Sequence, residues 1–218
     1  MSIKTLVAGV SALALVAFAA GAANATEGYF QTGYGVIQKA QSGAGVANPE
    51  DAMALSVNPA GLVFVGRQFE AAFTLFSPQR DFTAGPSALF GVPGTMPLTP
   101  GKVTSTQDLF LMPNMAWSSP IDAQSAWGVA IFGNGGMNTN YHSNVFYAGQ
   151  TGVNLEQMFI TAGYSRKMGD LAVGVAPVMA IQKFRATGFG AFAAMGMSAD
   201  PTNMTNNGDD YAWGAGLR

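Results

Sequence analysis

The chain has 218 residues, of which 49% are hydrophobic and only 10% are charged, and its formal net charge is -2 at pH 7. Ordinary soluble domains carry about 25% charged residues, so this chain has too few charges to cover a typical water-facing surface. The scattered Lys and Arg residues exclude the basic footprint of a nucleic-acid-binding protein, the absence of cysteine excludes disulfides and thiolate sites, and the single histidine, His142, leaves little for metal or general-base chemistry.

The first 25 residues have the pattern of a cleaved export signal. Lys4 gives a positive start, an apolar stretch runs from Leu6 to Ala20, and Ala23-Asn24-Ala25 has the small-x-small form of a cleavage site. A membrane anchor is the alternative, but the apolar core is shorter than the ~20 residues that span a bilayer. Beyond this segment, Gly, Pro, Asn or a charge interrupts every apolar run. An exported, apolar chain without membrane helices predicts a closed β-barrel, because only closed barrels and helices satisfy the backbone in lipid.

Residues 26–67 are rich in Gly, Ala and small polar residues. Asn48-Pro49-Glu50-Asp51 predicts a helix start, with a capping side chain, a proline at the first position and acidic residues in the first turn. The helix is expected to extend to about Ser56, and Asn58-Pro59 is expected to end it and to begin another turn, because proline disfavours helix in the residue before it. A plain loop before the first strand of a β protein is the alternative.

Period-two patterns predict five strands and the start of a sixth. The strands are expected at residues 68–77, 105–117, 125–136, 154–166 and 170–186, with the sixth beginning near Tyr211. The connections between them alternate between long (78–104, 137–153, 187–210) and short (118–124, 167–169). Bacterial barrels alternate short periplasmic turns with long outer loops, so this layout favours an all-β antiparallel transmembrane barrel.

The strand faces predict which side meets lipid. In the third predicted strand, Trp127, Val129 and Ile131 share one face, and in the fifth a bulky face alternates with small Ala and Gly residues. Trp117 and Trp127 flank a short turn, where an aromatic girdle would place them. The alternative is that both tryptophans belong to a soluble core.

Several segments together resemble the FadL-type outer-membrane transporters of long-chain fatty acids and hydrocarbons. The similarity covers essentially the whole chain after the export signal, and the segments are GYG (33–35), SGAGVANPEDAMALSVNPAGL (42–62), LFSP (75–78), TPGKV (99–103), MPNMAW (112–117), GNGGMNTNY (133–141) and TNNGDDYAWG (205–214). The resemblance implies a barrel of fourteen strands, plugged by an N-terminal hatch at residues 26–67, which passes hydrophobic molecules inward and out through its wall. Residues 68–218 would then form the first part of the barrel.

Five strands and the start of a sixth cannot close such a barrel, and an open sheet edge in lipid leaves backbone hydrogen-bonding groups unsatisfied. The chain is therefore expected to be a fragment, either of a longer protein or from a truncated gene.

The resemblance also suggests where a ligand leaves. In the family, the third strand is kinked beside the hatch, and here Gly133, Asn134, Gly135 and Gly136 fall within that strand, where glycine marks bulges. The hypothesis is that the hatch motif Asn58, Pro59, Ala60 and Gly61 packs beside these glycines and holds open a lateral exit. The alternative is that the glycines only ease a turn into an outer loop starting at Met137.

Substrate contacts are predicted from Phe132, Phe189, Phe192 and Arg185. The two loop phenylalanines belong to apolar outer loops, and exposed apolar patches often mark binding grooves, although the loops could instead pack on one another. Arg185 could bind a fatty-acid carboxylate, whereas Lys183 is expected at the lipid rim. Strand parity would decide which face these two residues occupy, but Pro177 could introduce a bulge that switches the faces.

Other functions are less favoured by the sequence. No nucleophile-elbow motif surrounds any serine, so an outer-membrane lipid hydrolase is the weaker alternative and no catalytic residue, metal or cofactor is predicted. A general porin is the stronger rival, but its lumen would be charged and open. The expected partners are a hydrophobic small molecule and outer-membrane lipid or lipopolysaccharide, with the protein a monomer.

Overall fold

A computed structural model describes residues 26–27, 30–89, 91–93, 95, 97–142, 145, 149–190 and 208–218. The predicted export signal at 1–25 and Phe192 lie outside the described residues.

The described chain is an antiparallel sheet with short helices on one face. Its strands are β1 (Thr26–Glu27), β2 (Phe30–Gln31), β3 (Gln68–Phe76), β4 (Asp81–Ala84), β5 (Gly101–Thr104), β6 (Phe110–Pro120), β7 (Ser125–Tyr141), β8 (Thr151–Met168), β9 (Leu171–Val175), β10 (Pro177–Thr187) and β11 (Asp210–Leu217). The main sheet runs β3, β6, β7, β8, β10, β11, with β9 also paired to β8 and β2 joining β1 to β7, while β4 and β5 form a separate hairpin. Within the described residues the sheet does not close on itself, since β3 pairs only with β6 and β11 only with β10.

The predicted strands are confirmed with shifted ends, except that the fifth, 170–186, is divided at Ala176 into β9 and β10. Four-residue and two-residue turns join β6 to β7 and β8 to β9, which matches the predicted short connections. The prediction was wrong at one end, because β7 continues past the glycines to Tyr141 instead of stopping at Gly136. The hairpin of β4 and β5 lies inside the predicted loop 78–104 and was not predicted.

Residues 30–67, which we call the N-terminal segment, contain two short α-helices and two 3-10 helices. These are α1 (Gly35–Ala40), 3-10 turns at Ala52–Ser56 and Pro59–Gly61, and α2 (Leu62–Val65). The predicted cap at Asn48 is wrong, since the first 3-10 helix begins after Asp51 and the Asn48 side chain donates to Glu50 instead. The predicted end at Ser56 is confirmed, and Asn58 caps the second turn by accepting from the Ala60 N–H at 3.2 Å. α1 was not predicted.

The two faces of the sheet differ in what they meet. Trp127, Val129 and Ile131 are exposed, as predicted. Ala126, Ala130 and Phe132, which alternate with them along β7, are buried. The rings of Trp117 and Trp127 meet edge to face at 4.6 Å on the exposed side. The N-terminal segment covers the other face, so that face is the inner one.

A row of small residues on the inner face makes room for the N-terminal segment. Gly128 on β7 pairs with Gly163 on β8, and Ala176 follows at the junction of β9 and β10. A side chain at Gly163 would collide with Leu55, and one at Gly128 would lie 3.2 Å from Leu62. Leu55 and Leu62 are fully buried, so the small residues of the wall are complementary to the leucines of the segment.

Pro177 does not switch the strand faces. Tyr164 pairs with Val175 and Thr161 pairs with Val178, which is one continuous register across the break. Ala176 keeps its own backbone bonds with Arg218 at 3.0 and 2.9 Å. The predicted possibility of a bulge at Pro177 is therefore wrong, and Lys183 and Arg185 lie on the same face as Val175.

Candidate functional site

The wall of the sheet is irregular at the glycines of β7. Gly133 pairs with Met158 but Gly135 pairs with Gln157, so Asn134 is an extra residue that the backbone pairing with β8 skips. Such a bulge bends a strand and re-aims a side chain. Asn134 is buried and points to the inner side, where a polar side chain requires hydrogen bonds.

Residues 30–34 of the N-terminal segment lie across this bulge. Phe30 pairs with Gly135 as a strand, the Gln31 amide donates to the Gly133 carbonyl, and the Tyr34 hydroxyl donates to the side-chain oxygen of Asn134. The bulge is thus covered by backbone and side-chain bonds from a part of the chain about a hundred residues earlier.

The bonds continue along the inner wall. The Asn134 amide donates to Gln157 at 3.2 Å, and the Gln157 amide donates to Gln182 at 2.6 Å. Together with Tyr34, these side chains form a polar row across β7, β8 and β10. Each amide donates in the same direction, so each side chain in the row satisfies the next.

One buried glutamine organises the N-terminal segment. The Gln38 oxygen accepts from the Tyr34 N–H at 3.0 Å, and its amide donates to the Met53 carbonyl at 2.8 Å and the Ser56 hydroxyl at 3.4 Å. Gln38 therefore joins the residues at the bulge to the first 3-10 helix.

The predicted contact between Asn58–Gly61 and the glycines of β7 is not what the structure contains. Pro59 and Ala60 pack on Gly174 of β9, where an added Cβ would collide with their backbone. Gly61 packs on Pro49. Asn58 itself donates to the Val46 carbonyl at 2.8 Å, within the N-terminal segment. Residues 30–34 take the place that was predicted for Asn58, Pro59, Ala60 and Gly61.

A cavity of about 1530 Å³ opens beside the bulge. Gly133, Gly135 and Gly136 line it, together with the inner-side residues Phe30, Gln31, Lys39, Phe76, Arg80, Phe110, Met112 and Gln157. Met115, Ile131 and Met158 also line it, although their side chains belong to the exposed face of the sheet. The cavity therefore touches both faces of the wall where the register shifts.

The predicted substrate residues are not gathered at this cavity. Phe132 is fully buried between the rings of Tyr34 at 4.4 Å and Phe159 at 5.7 Å, so it packs the segment onto the wall. Phe189 is half-buried beyond the end of β10. Neither residue is among those that line the cavity.

Arg185 is already paired with a carboxylate of its own chain. Its guanidinium lies 2.6 Å from Asp209, and the Lys183 ammonium lies 3.4 Å from the same side chain. Burial disfavours the charged form of Asp209, but the hydrogen bonds from Arg185 and Lys183 outweigh it, so the pKa of Asp209 is lowered. Any ligand carboxylate would compete with Asp209 for Arg185.

The sequence singled out Lys183, which lines the cavity, but it missed Lys39 and Arg80, two further charged residues there. Lys39 lies in the last turn of α1, and burial lowers its pKa. Arg80 donates to the Asn138 carbonyl and lies 5.9 Å from the centre of the Phe76 ring. α1 was not predicted, and the hairpin after Arg80 lies in a segment that was predicted as a loop. The sequence therefore carried no signal that placed either residue at a cavity.

Within the ranges that the structure covers, no helix has both the length and the apolar character needed to cross a membrane. Among the same residues, no three His, Cys, Asp or Glu side chains gather as a metal site would require.

Comparison with known proteins gives a consistent result. A family model described as "Outer membrane protein transport protein (OMPP1/FadL/TodX)" matches residues 10–216. The crystal structure of a Pseudomonas aeruginosa FadL homologue is similar at 15% sequence identity with a TM-score of 0.62, and the match covers 87% of this chain and 48% of that chain. The chain thus spans about half the length of that protein, and at this identity the likeness concerns the fold. A search of the curated proteins finds no match.

Proposed function

Because this chain belongs to the OMPP1/FadL/TodX family of outer-membrane transport proteins, we propose that it forms part of a path for long-chain fatty acids or other hydrophobic small molecules, with a lateral exit at the bulge of β7. The family is one of transporters and not of enzymes. The substrate class and the exit are proposals for the whole protein. The compared homologue is about twice as long as this chain.

The observation that carries the proposal is the cavity at the bulge. Its lining combines inner-side residues such as Phe30 and Met112 with outward-facing Met115, Ile131 and Met158. Apolar, Met-rich and Phe-rich surfaces adapt to flexible alkyl ligands. A void lined mainly by apolar side chains on both faces of a wall gives the alkyl chain of such a ligand a route that avoids water.

We propose that residues 26–67 act as a hatch. In support, the N-terminal segment buries Leu55 and Leu62 on the inner wall and binds the bulge through Gln31 and Tyr34. A general porin is the alternative, and the segment that covers the inner face is the reason to prefer the hatch. We further expect a monomer surrounded by outer-membrane lipid and lipopolysaccharide.

The test is uptake by cells that lack other fatty-acid transporters and express the protein in the outer membrane. Cells with the parent protein should take up radiolabelled oleate, and a variant lacking Asn134, which restores a continuous register between β7 and β8, should not. Gly133→Ala, where the nearest atom would be Met112 Cβ at 3.5 Å, serves as the control with the bulge kept. Assembly of each variant is checked by heat-modifiable gel mobility.

Two results would reject parts of the proposal. Normal oleate uptake by the assembled Asn134 deletion would place the exit elsewhere. Rapid entry of small sugars into liposomes that contain the parent protein would favour the porin.

A further inference from the structure

Two carboxyl groups adjoin one another where the N-terminal segment meets β3. Asp51 precedes the first 3-10 helix, and Glu70 projects from the inner face of β3. Asp51 is 6% exposed, and its Oδ2 atom has no hydrogen-bond partner. Both carboxyl oxygens of Glu70 are buried and also lack a partner.

The fold makes room for this pair. Gly35 has a φ of 74°, a conformation that favours glycine, and a Cβ at this position would collide with the Glu70 carboxyl and lie 3.0 Å from Met53. The carboxyl of Glu70 is therefore enclosed by α1 on one side and by the first 3-10 helix on the other.

The surrounding charges do not neutralise the pair. Glu50 adds further negative charge beside Asp51. Lys39, on the helix that packs against β3, lines the cavity, and Arg67 before β3 is exposed. Among the described residues, the carboxylates that form ion pairs are Asp81 and Asp209, so neither Asp51 nor Glu70 is in one. On β6, the residue opposite Glu70 is Ala116.

From this geometry we infer that Asp51 and Glu70 share one proton, and that this carboxylic acid–carboxylate hydrogen bond positions the N-terminal segment against β3. An ionised carboxylate can only accept hydrogen bonds, whereas a protonated one can donate. One proton therefore converts two unpartnered buried acceptors into a bonded pair, and it removes the repulsion between two buried like charges.

The shared proton makes the stability of the contact between the N-terminal segment and β3 dependent on pH. Burial raises the pKa of Asp51, so the folded state binds the proton more tightly than the unfolded chain does. For a raised pKa, the stabilisation is complete below the unfolded value and is lost as the pH rises through the folded value. Loss of the shared proton leaves two adjacent charges, and the segment should loosen.

The absence of cysteine in the chain allows a direct test by single-cysteine labelling of the full protein in detergent, without any transported ligand. Ser56→Cys reports on the fully buried end of the first 3-10 helix, and Val46→Cys, at an exposed site, is the reference. The ratio of their maleimide labelling rates cancels the intrinsic pH dependence of the thiol. Between about pH 6 and about pH 9, this ratio should rise severalfold.

The amide N–H of the Glu70→Gln variant can donate to Asp51 at any pH in this range, because it does not titrate, so the ratio for this variant should stay low throughout. Glu156→Gln, the same change at an exposed strand position, should retain the rise. Should Glu70→Gln fail to assemble, Asp51→Asn carries the same expectation.

Three results would overturn the inference. The first is no rise in the parent, and the second is an undiminished rise in the amide variants. The third is labelling at neutral pH that increases with a chelator and falls again with Ca²⁺, which would show a bound cation in place of the proton. Since no ligand is used, failure here leaves the proposed transport untouched, and failure of oleate uptake leaves the pair untouched.

Discussion

At the scale of single residues, the hydroxyl of Tyr34 bonds the bulge directly through Asn134. Tyr34→Phe keeps the ring contact with Phe132 but leaves a buried amide oxygen without this donor. We expect a loss of about 1–2 kcal/mol in the free energy of unfolding, measured by urea titration in lipid vesicles. Tyr164→Phe, on the exposed face, should change the same quantity by less than about 0.5 kcal/mol. Equal effects of the two variants would show that the hydroxyl bond is not stabilising.

Asp209 competes with any ligand carboxylate for Arg185. Because the pKa of Asp209 is lowered, the carboxylate remains charged at neutral pH and the competition persists there. If Arg185 binds the head group of a fatty acid, Asp209→Asn should tighten fatty-acid binding, and Arg185→Ala should weaken it. Binding of a neutral alkane should change in neither variant. Equal changes for the acid and the alkane, measured by competition with a fluorescent fatty acid, would remove Arg185 from the site.

At the scale of elements, the glycines of β7 are not equivalent. A Cβ at Gly136 would collide with the backbone carbonyl of Leu155 in the neighbouring strand, whereas at Gly133 the nearest atom is a side-chain carbon at 3.5 Å. Gly136→Ala should therefore cost about 1–3 kcal/mol, since overpacking against backbone cannot be relieved by a rotamer change. Gly133→Ala should be tolerated. Urea titration of both variants checks this, and a greater loss for Gly133→Ala would contradict the described register.

The same strand shows how far the sequence alone could lead. The alternation of Trp127, Val129 and Ile131 with small residues identified both the strand and its exposed face, because side-chain direction follows directly from a period of two. The glycines were recognised as a site of irregularity, but the strand was ended there, since a bulge and a turn have the same local composition. What lies over the bulge depends on contacts between residues a hundred positions apart, and no local pattern encodes such a contact. α1 was missed for a related reason: six residues, GVIQKA, are too few to establish a helical period.

At the scale of the whole molecule, the sheet has one face for lipid and one for the interior. Phe73, near the middle of β3, is 69% exposed, while its neighbour Thr74 lines the cavity. Phe73→Arg should reduce the free energy of unfolding in vesicles by about 2–4 kcal/mol, the cost of a charge on the lipid face near the bilayer centre. Thr74→Arg introduces the same side chain one position later and should cost much less, because its charge lies in the interior. The opposite order would mean that the faces are assigned the wrong way round.

The bonds of Gln38 have a consequence for the order in which the chain folds. They join residues at most 18 positions apart, whereas the bonds of Gln31 and Tyr34 to the wall close loops of 102 and 100 positions. Short loops cost less entropy to close and form sooner than long ones. We therefore expect the N-terminal segment to take its shape while the strands are still pairing, and its docking on the bulge to be a late event. Until then Asn134 has a polar side chain without its partner from the segment, so the most irregular place in the wall is also the last to be completed.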